Sequence, residues 1–161
     1  MESKQALVGT KAPDFTLVDQ QGNPWSLSAR TKTNPVLLVF YPGDFTPVCT
    51  KQLCNYRDNF EAFKKYGVQI VGISKNTPEE HQEFAKKYDF QFPLVSDPEN
   101  KVAKLFGCTS LMMFGGISRA VFVVDTKGYV AYRYIEPTSL TRRKADELTK
   151  ILQDLRAKSQ I

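Results

Sequence analysis

Two of the chain's three cysteines, Cys49 and Cys54, stand five residues apart where an apolar run gives way to an amphipathic one. Paired thiols can carry two electrons as a disulfide. Because the thiolate rather than the thiol is the nucleophile, the surroundings of each sulfur decide the chemistry. Val36 to Tyr41 reads as a buried strand, and Pro42 and Gly43 break it. Thr46 then sits at an N-cap position and Pro47 at the first helical residue. Cys49 falls in the first helical turn, where unpaired backbone N–H groups and the positive end of the helix dipole favour a thiolate.

Helical phase separates the two sulfurs. The face carrying Cys49 continues through Leu53, Tyr56, Phe60 and Phe63, an apolar stripe suited to packing on a sheet. Cys54 shares its side with Arg57, Asp58 and Glu61 and is expected to face water. Five residues of helix separate two Cα atoms by about 7.5 Å along the axis, beyond the roughly 7 Å reach of a disulfide. Bonding the pair therefore requires the first turns of the helix to unwind. The expectation is a redox cycle coupled to local unfolding, with an inward thiolate that reacts and an outward thiol that resolves. The plainer readings are a small core residue for Cys49 and a spectator thiol for Cys54. Cys108, after the helix stop Phe106-Gly107, reads as a buried filler or an alternative resolving thiol. His81 lies in the polar run Glu79-Glu80-His81-Gln82-Glu83 and is placed on the surface with no chemistry.

Pro42-x-x-x-Thr46-x-x-Cys49 resembles the active-site signature of the peroxiredoxins, and a second cysteine at 54 is similar to the bacterioferritin-comigratory-protein (Q-type) subfamily. The likeness runs from Gly9-Thr10-Lys11-Ala12-Pro13-Asp14-Phe15 to the closing helix, and Gln52 and Cys54 fit it. Phe45 and Val48 depart from it: Q-type members commonly carry glycine before the reactive cysteine and a small or polar residue before the threonine. Phe45-Thr46 is closer to the other large branch, whose late resolving cysteine has no counterpart after Cys108.

The resemblance implies two-electron reduction of a hydroperoxide. The Cys49 thiolate attacks the terminal oxygen, releases water or an alcohol and becomes a sulfenic acid. Cys54 then resolves it as an intramolecular disulfide, and thioredoxin or a similar dithiol recycles the enzyme. In the family an arginine just before a late strand accompanies the sulfur, and Arg119, directly ahead of Ala120-Val121-Phe122, matches it. Its fixed fork can serve thiolate and substrate oxygen together. The resemblance also gives Thr46 a hydroxyl contact to thiolate and peroxide, although Thr46 also reads as a plain N-cap. Pro42 covers the pocket, and the backbone N–H groups of Val48 and Cys49 complete the oxygen-binding set. No cofactor is implied, and subunits are expected as monomer or weak homodimer. A reading of another class is a thiol–disulfide exchange or chaperone-like binding protein on the same fold, against which the missing C-x-x-C counts.

The elements around this segment read as α/β. Phe15 to Asp19 and Trp25 to Leu27 flank a turn of breakers and form an N-terminal β-hairpin, and Arg30 to Pro35 reads as a polar connector. After the Cys49 helix, ending at Tyr66-Gly67, come a strand Val68 to Ser74 and a helix opened by Thr77-Pro78-Glu79-Glu80 and running to about Tyr88. A short strand Phe92 to Val95 and a helix from Asp97 to Phe106 follow. Met112-Met113-Phe114-Gly115-Gly116 reads as an irregular apolar loop: core packing, a wall for alkyl peroxides, or a weak dimer contact. Ala120 to Asp125 and Tyr129 to Tyr134 form a hairpin about Thr126-Lys127-Gly128, and Thr138 to Lys158 closes the chain as a helix with Leu140, Leu148, Ile151, Leu152 and Leu155 on one stripe. This order gives a central mixed sheet flanked by helices; the thioredoxin-like fold is what the resemblance implies.

Composition excludes several other classes. The 161 residues suit one domain spanning residues 1–161, and 42% hydrophobic with 24% charged residues is neither disordered nor membrane-like. No apolar run reaches the roughly 20 residues of a membrane span, and Met1 to Leu7 is too short and polar for a signal peptide. Three cysteines and one histidine match no zinc framework, so no metal is expected, and an odd cysteine count argues against a secreted scaffold. The cytoplasm is the expected address. The net charge of +5 comes from basic residues interleaved with Asp and Glu, a solvated surface rather than a nucleic-acid site.

Overall fold

Strand β3 (Val36–Phe40) is buried along its whole length because its alternate side chains feed two different cores. Val36, Leu38 and Phe40 point to one face of the sheet, and Leu37 and Val39 to the other. The structure, a computed structural model, describes residues 6–109, 116–138 and 141–161. In chain order the remaining elements are β1 (Thr16–Asp19), β2 (Pro24–Ser26), α1 (Leu27–Thr31), α2 (Pro47–Asp58), α3 (Phe60–Lys65), β4 (Gln69–Ser74) and α4 (Pro78–Tyr88). They continue with β5 (Leu94–Ser96), α5 (Lys101–Leu105), β6 (Ala120–Val124), β7 (Val130–Ile135) and α6 (Ala145–Ala157).

The seven strands form one sheet in the order β2-β1-β5-β4-β3-β6-β7. Pairings β3–β4 and β4–β5 are parallel, joined through helices, while β1–β2, β1–β5, β3–β6 and β6–β7 are antiparallel. This is the expected mixed sheet, with the N-terminal hairpin at one edge and the β6–β7 hairpin at the other. On one face Trp25, Leu27, Val102, Ala103 and Phe106 cover the sheet; on the other Leu53, Tyr56, Phe63, Phe84, Leu148 and Leu152 do so. The second layer carries α2 and therefore Cys49. Each such fully buried Leu or Phe contributes about 1.5–3 kcal/mol, which is what holds α2 against the sheet.

Several local expectations change. The polar connector begins later than expected, because Leu27 to Thr31 form a short helix capped by the Ser26 hydroxyl, which accepts from Ala29 N at 3.3 Å. The Cys49 helix does not run unbroken to Tyr66: at Asn59 the backbone turns to φ −112°, ψ 20°, splitting it into α2 and α3. Asp97 starts no helix itself; its carboxylate accepts from Val102 N and Ala103 N, capping α5 from a distance. The fifth strand is Leu94–Ser96 rather than Phe92 to Val95. The closing helix begins at Ala145, with Leu148, Leu152 and Leu155 buried; Leu140 and the cluster Met112-Met113-Phe114 lie outside the described residues.

Candidate active site

Beyond β3 the chain makes one more sheet bond, Tyr41 N to Ile73 O at 3.1 Å, before Pro42 ends the pairing. Tyr41 is fully buried, and Gly72 makes room for it: a Cβ there would lie 3.1 Å from the tyrosine ring and 2.7 Å from Leu94 Cδ2. Phe45 adopts φ +64°, a left-handed conformation that costs a non-glycine residue about 1–3 kcal/mol. Its ring is held by Phe84 of α4, with centroids 4.8 Å apart, and lies under Lys87 Nζ at 5.8 Å. The turn brings Thr46 to the N-cap of α2 in an extended conformation, with Pro47 opening the helix as expected.

The Thr46 hydroxyl does not cap the helix. It donates to Gly43 O at 2.9 Å, closing the loop on itself, and Thr50 N makes the first helical bond to Thr46 O at 2.9 Å. With its proton on Gly43 O, the Thr46 oxygen is oriented as an acceptor on an exposed residue. Pro42, half-buried, borders a cavity of about 140 Å³ with Lys75, Asn100, Gly116 and Ile117.

Cys49 is fully buried in the first turn of α2. Arg119 reaches it from the start of β6: Nη1 lies 3.0 Å from Cys49 Sγ and 2.8 Å from Gln52 Oε1. The arginine is 3% exposed, so the pair operates away from bulk water, and its main chain is pinned by Glu136 N donating to Arg119 O at 2.8 Å. Gln52, one helical turn on from Cys49, fixes its own orientation, with its Nε2 donating to Tyr56 Oη at 2.9 Å. Tyr56 in turn donates to Arg143 O at 2.6 Å, and burial pushes its phenol far above the usual range, so it remains a donor. The chain Cys49–Arg119–Gln52–Tyr56–Arg143 thus ties the sulfur to the segment leading into α6. Burial also pushes the neighbouring Glu136 carboxyl up.

The structure brings Cys49 and Arg119 together and places Pro42 and Thr46 in the loop before them. Cys54 lies in the same unbroken helix as Cys49, half-buried, and all three cysteines are free thiols. Burial raises the Cys54 thiol above its ordinary value, with Arg57 opposing the shift. Cys108 is buried on the opposite face of the sheet, where desolvation pushes its thiol up to about 12. It donates to Ala103 O at 3.4 Å.

Two residues of the site carry more than the sequence analysis gave them. Gln52 was a family match without a role; its i+3 spacing from Cys49 is the signal that puts both on one face. His81 is not on the surface but fully buried, with Nδ1 2.7 Å from Asp44 Oδ2 and Nε2 3.1 Å from Val95 O. The signal was present in the helical spacing of His81, Phe84 and Ala85, which form the buried face of α4. Among the described residues no group of three or more His, Cys, Asp or Glu side chains could hold a metal ion, and no helix is long and apolar enough to cross a membrane.

The AhpC/TSA family profile matches residues 8–133. Chloroplastic peroxiredoxin Q of Sedum lineare is 46% identical over 149 residues, covering 92% of this chain and 78% of that one. The peroxidoxin BcpB of Mycobacterium tuberculosis superposes with a TM-score of 0.80 at 34% identity, covering 93% of this chain and 96% of that one. The bacterioferritin comigratory protein of Xanthomonas campestris, described for its alkyl peroxide reduction activity, gives a TM-score of 0.77 at 27% identity, covering 90% and 92%. These likenesses identify the mixed sheet and its helices as the thioredoxin-like fold. The chain belongs to the AhpC/TSA family and is a peroxiredoxin of the Q type, a thiol peroxidase.

Proposed function

We propose that Cys49 is the peroxide-reducing sulfur, that Cys54 resolves it, and that a thioredoxin-like dithiol recycles the pair. The observation that carries this reading is the 3.0 Å contact between Arg119 Nη1 and a fully buried Cys49 Sγ at the start of a helix. A guanidinium and the helix N-terminus both favour a negatively charged sulfur. The thiolate attacks the terminal oxygen of a hydroperoxide, the O–O bond breaks, and the departing alkoxide or hydroxide takes a proton to leave as alcohol or water. Arg119 follows the charge as it moves from sulfur to the leaving oxygen, because its positive charge is spread over a planar fork that can serve both. The Thr46 oxygen, with its own proton committed to Gly43, accepts the hydrogen of the incoming peroxide and aims it at the sulfur. Pro42 walls the approach. The Cys54 thiol then attacks the sulfenic acid, forming the disulfide and releasing water, and an external dithiol restores both thiols.

An exchange or chaperone-like role fits less well. A protein disulfide must bring a whole polypeptide up to the attacking sulfur of Cys49, which has no exposed surface in the reduced state, whereas a hydroperoxide needs only a small opening. One domain spanning residues 1–161 remains our reading, and the subunit is taken as a monomer or weak homodimer. Three free thiols suit a reducing compartment, the cytoplasm in our reading, although the named peroxiredoxin Q relative is chloroplastic. Peroxide consumption in the presence of a thioredoxin system tests the function: turnover that disappears in Cys49→Ser supports it. Disulfide reductase activity without peroxide turnover would favour the exchange reading.

A further inference from the structure

Beside the site, three polar side chains are buried together: Tyr41, Asp44 and His81. We infer that Asp44 and His81 are positioning residues for the peroxide reaction, a hydrogen-bonded clamp from α4 that holds the loop Pro42–Thr46 in the shape that presents peroxide to Cys49. This inference rests on the peroxidase reading above.

The hydrogen bonds of the cluster close completely. His81 Nε2 lies 3.1 Å from Val95 O, and a carbonyl can only accept, so Nε2 carries a proton. The Tyr41 hydroxyl donates to Asp44 Oδ1 at 2.6 Å, and burial together with the adjoining carboxylate keeps that phenol protonated. Two contacts of His81 Nδ1 remain, a long one to Tyr41 Oη at 3.5 Å, whose proton is already on Asp44, and a short one to Asp44 Oδ2 at 2.7 Å, which then holds one shared proton. Asp44 is tied a third time through its backbone, with Asp44 N donating to Asn76 Oδ1 at 2.9 Å, and Asn76 is itself held by the Ser74 hydroxyl at 2.9 Å. Immediately after this anchor comes left-handed Phe45, whose ring rests on Phe84 of the same helix α4. A strained backbone persists only where its surroundings over-determine it, and here α4 supplies both the polar and the aromatic hold. Thr46 and Pro42, on either side of this anchor, are the residues that line the approach of peroxide. Arg119 and Gln52 hold the sulfur from β6 and α2, independently of the clamp.

This division of labour gives a test. Asp44→Ala leaves Tyr41 and His81 unpaired and lets Phe45 relax, so the second-order rate with hydrogen peroxide should fall by about tenfold to 10²-fold. Alkylation of Cys49 by iodoacetamide at neutral pH, which needs access to the sulfur but no peroxide aimed by Thr46, should not fall below the wild-type rate. Asp44→Asn can accept from Tyr41 and donate to a neutral His81 Nδ1, so it should restore most of the peroxide rate. Equal peroxide rates in wild type and Asp44→Ala would overturn the inference. So would a parallel loss of peroxide and iodoacetamide reactivity, or an Asp44→Asn as slow as Asp44→Ala. Should Asp44→Ala not fold, ¹⁵N-edited NMR of the chain's one histidine reads the clamp directly. Wild type should show a slowly exchanging, far-downfield shared proton at Nδ1, with Nδ1 becoming an unprotonated acceptor in Asp44→Asn; a freely exchanging ring would overturn it. A wild-type protein no faster than free cysteine would instead refute the peroxidase reading itself.

Discussion

One guanidinium nitrogen of Arg119 touches both the Cys49 sulfur and the Gln52 amide, so in the proposed mechanism charge and aim come from the same group. In that mechanism, removing it takes away a donor from the developing oxyanion. Arg119→Ala should slow peroxide attack by about 10²–10³-fold, measured by stopped-flow fluorescence. Arg119→Lys should not rescue it, because a point ammonium cannot span sulfur, amide and substrate. The remaining cysteines divide by environment. Cys108, pushed to about 12, is a protonated thiol at neutral pH and lies on the far face of the sheet from Cys49. In Cys54→Ser, peroxide should therefore drive Cys49 on to sulfinic acid, seen as a two-oxygen mass increase. A disulfide between Cys49 and Cys108 would contradict that assignment. The position of Cys49 was legible because Pro42, Thr46 and Pro47 mark the element boundary it follows, and Arg119 was picked out by the family resemblance, which places an arginine just before a late strand. The roles of Gln52 and His81 were not legible, because helical spacing can put a polar residue on a buried face without saying which polar partners will be buried beside it.

At the scale of the element, α2 is intact from Pro47 to Asp58 while both cysteines are reduced, so the geometry that bars a disulfide holds in this state. Its downstream end is anchored: Asn55 Oδ1 accepts from Ala145 N at 2.7 Å, Tyr56 donates to Arg143 O, and Arg57 Nη1 donates to Tyr88 O at 2.7 Å. Unwinding to join Cys49 and Cys54 must then be confined to the first two turns. Each helical amide bonds the carbonyl four residues back, so oxidation should speed hydrogen exchange at residues 50–57 and leave α3 protected. Equal protection in both redox states would sink the coupling of oxidation to unfolding. The break at Asn59 that isolates α3 was not legible, because the apolar stripe runs through it from Tyr56 to Phe63 without a change of phase; both side chains are buried.

The whole molecule places the site where three long-range pieces meet: the β3–α2 junction, the start of β6 and helix α4. The mixed sheet and its helices were readable from the alternation of apolar runs. The strand order, which sets β6 beside β3 in the register Phe40↔Ala120 and so brings Arg119 to Cys49, was not, because no local signal specifies which distant strands pair. Assembling the site has a cost in the buried Glu136, whose main chain pins Arg119. Its carboxyl is raised above its ordinary value of 4.5, so over that window the folded protein keeps a proton that the unfolded chain releases. Stability from this group is present below the ordinary value and is lost as pH rises through the raised one. Glu136→Gln should melt about 2–4 °C higher than wild type at neutral pH, with the two curves converging under acid where both side chains are neutral. A constant difference at every pH would contradict the burial argument.

The central claim is that a buried sulfur beside Arg119 is the peroxide nucleophile. The most direct measurement is the second-order rate constant of the fully reduced protein with hydrogen peroxide at neutral pH, followed by stopped flow against free cysteine. The structure predicts a rate orders of magnitude above free cysteine that vanishes in Cys49→Ser and persists for the first turnover in Cys54→Ser. A rate equal to that of free cysteine, or one untouched by Cys49→Ser, would contradict it.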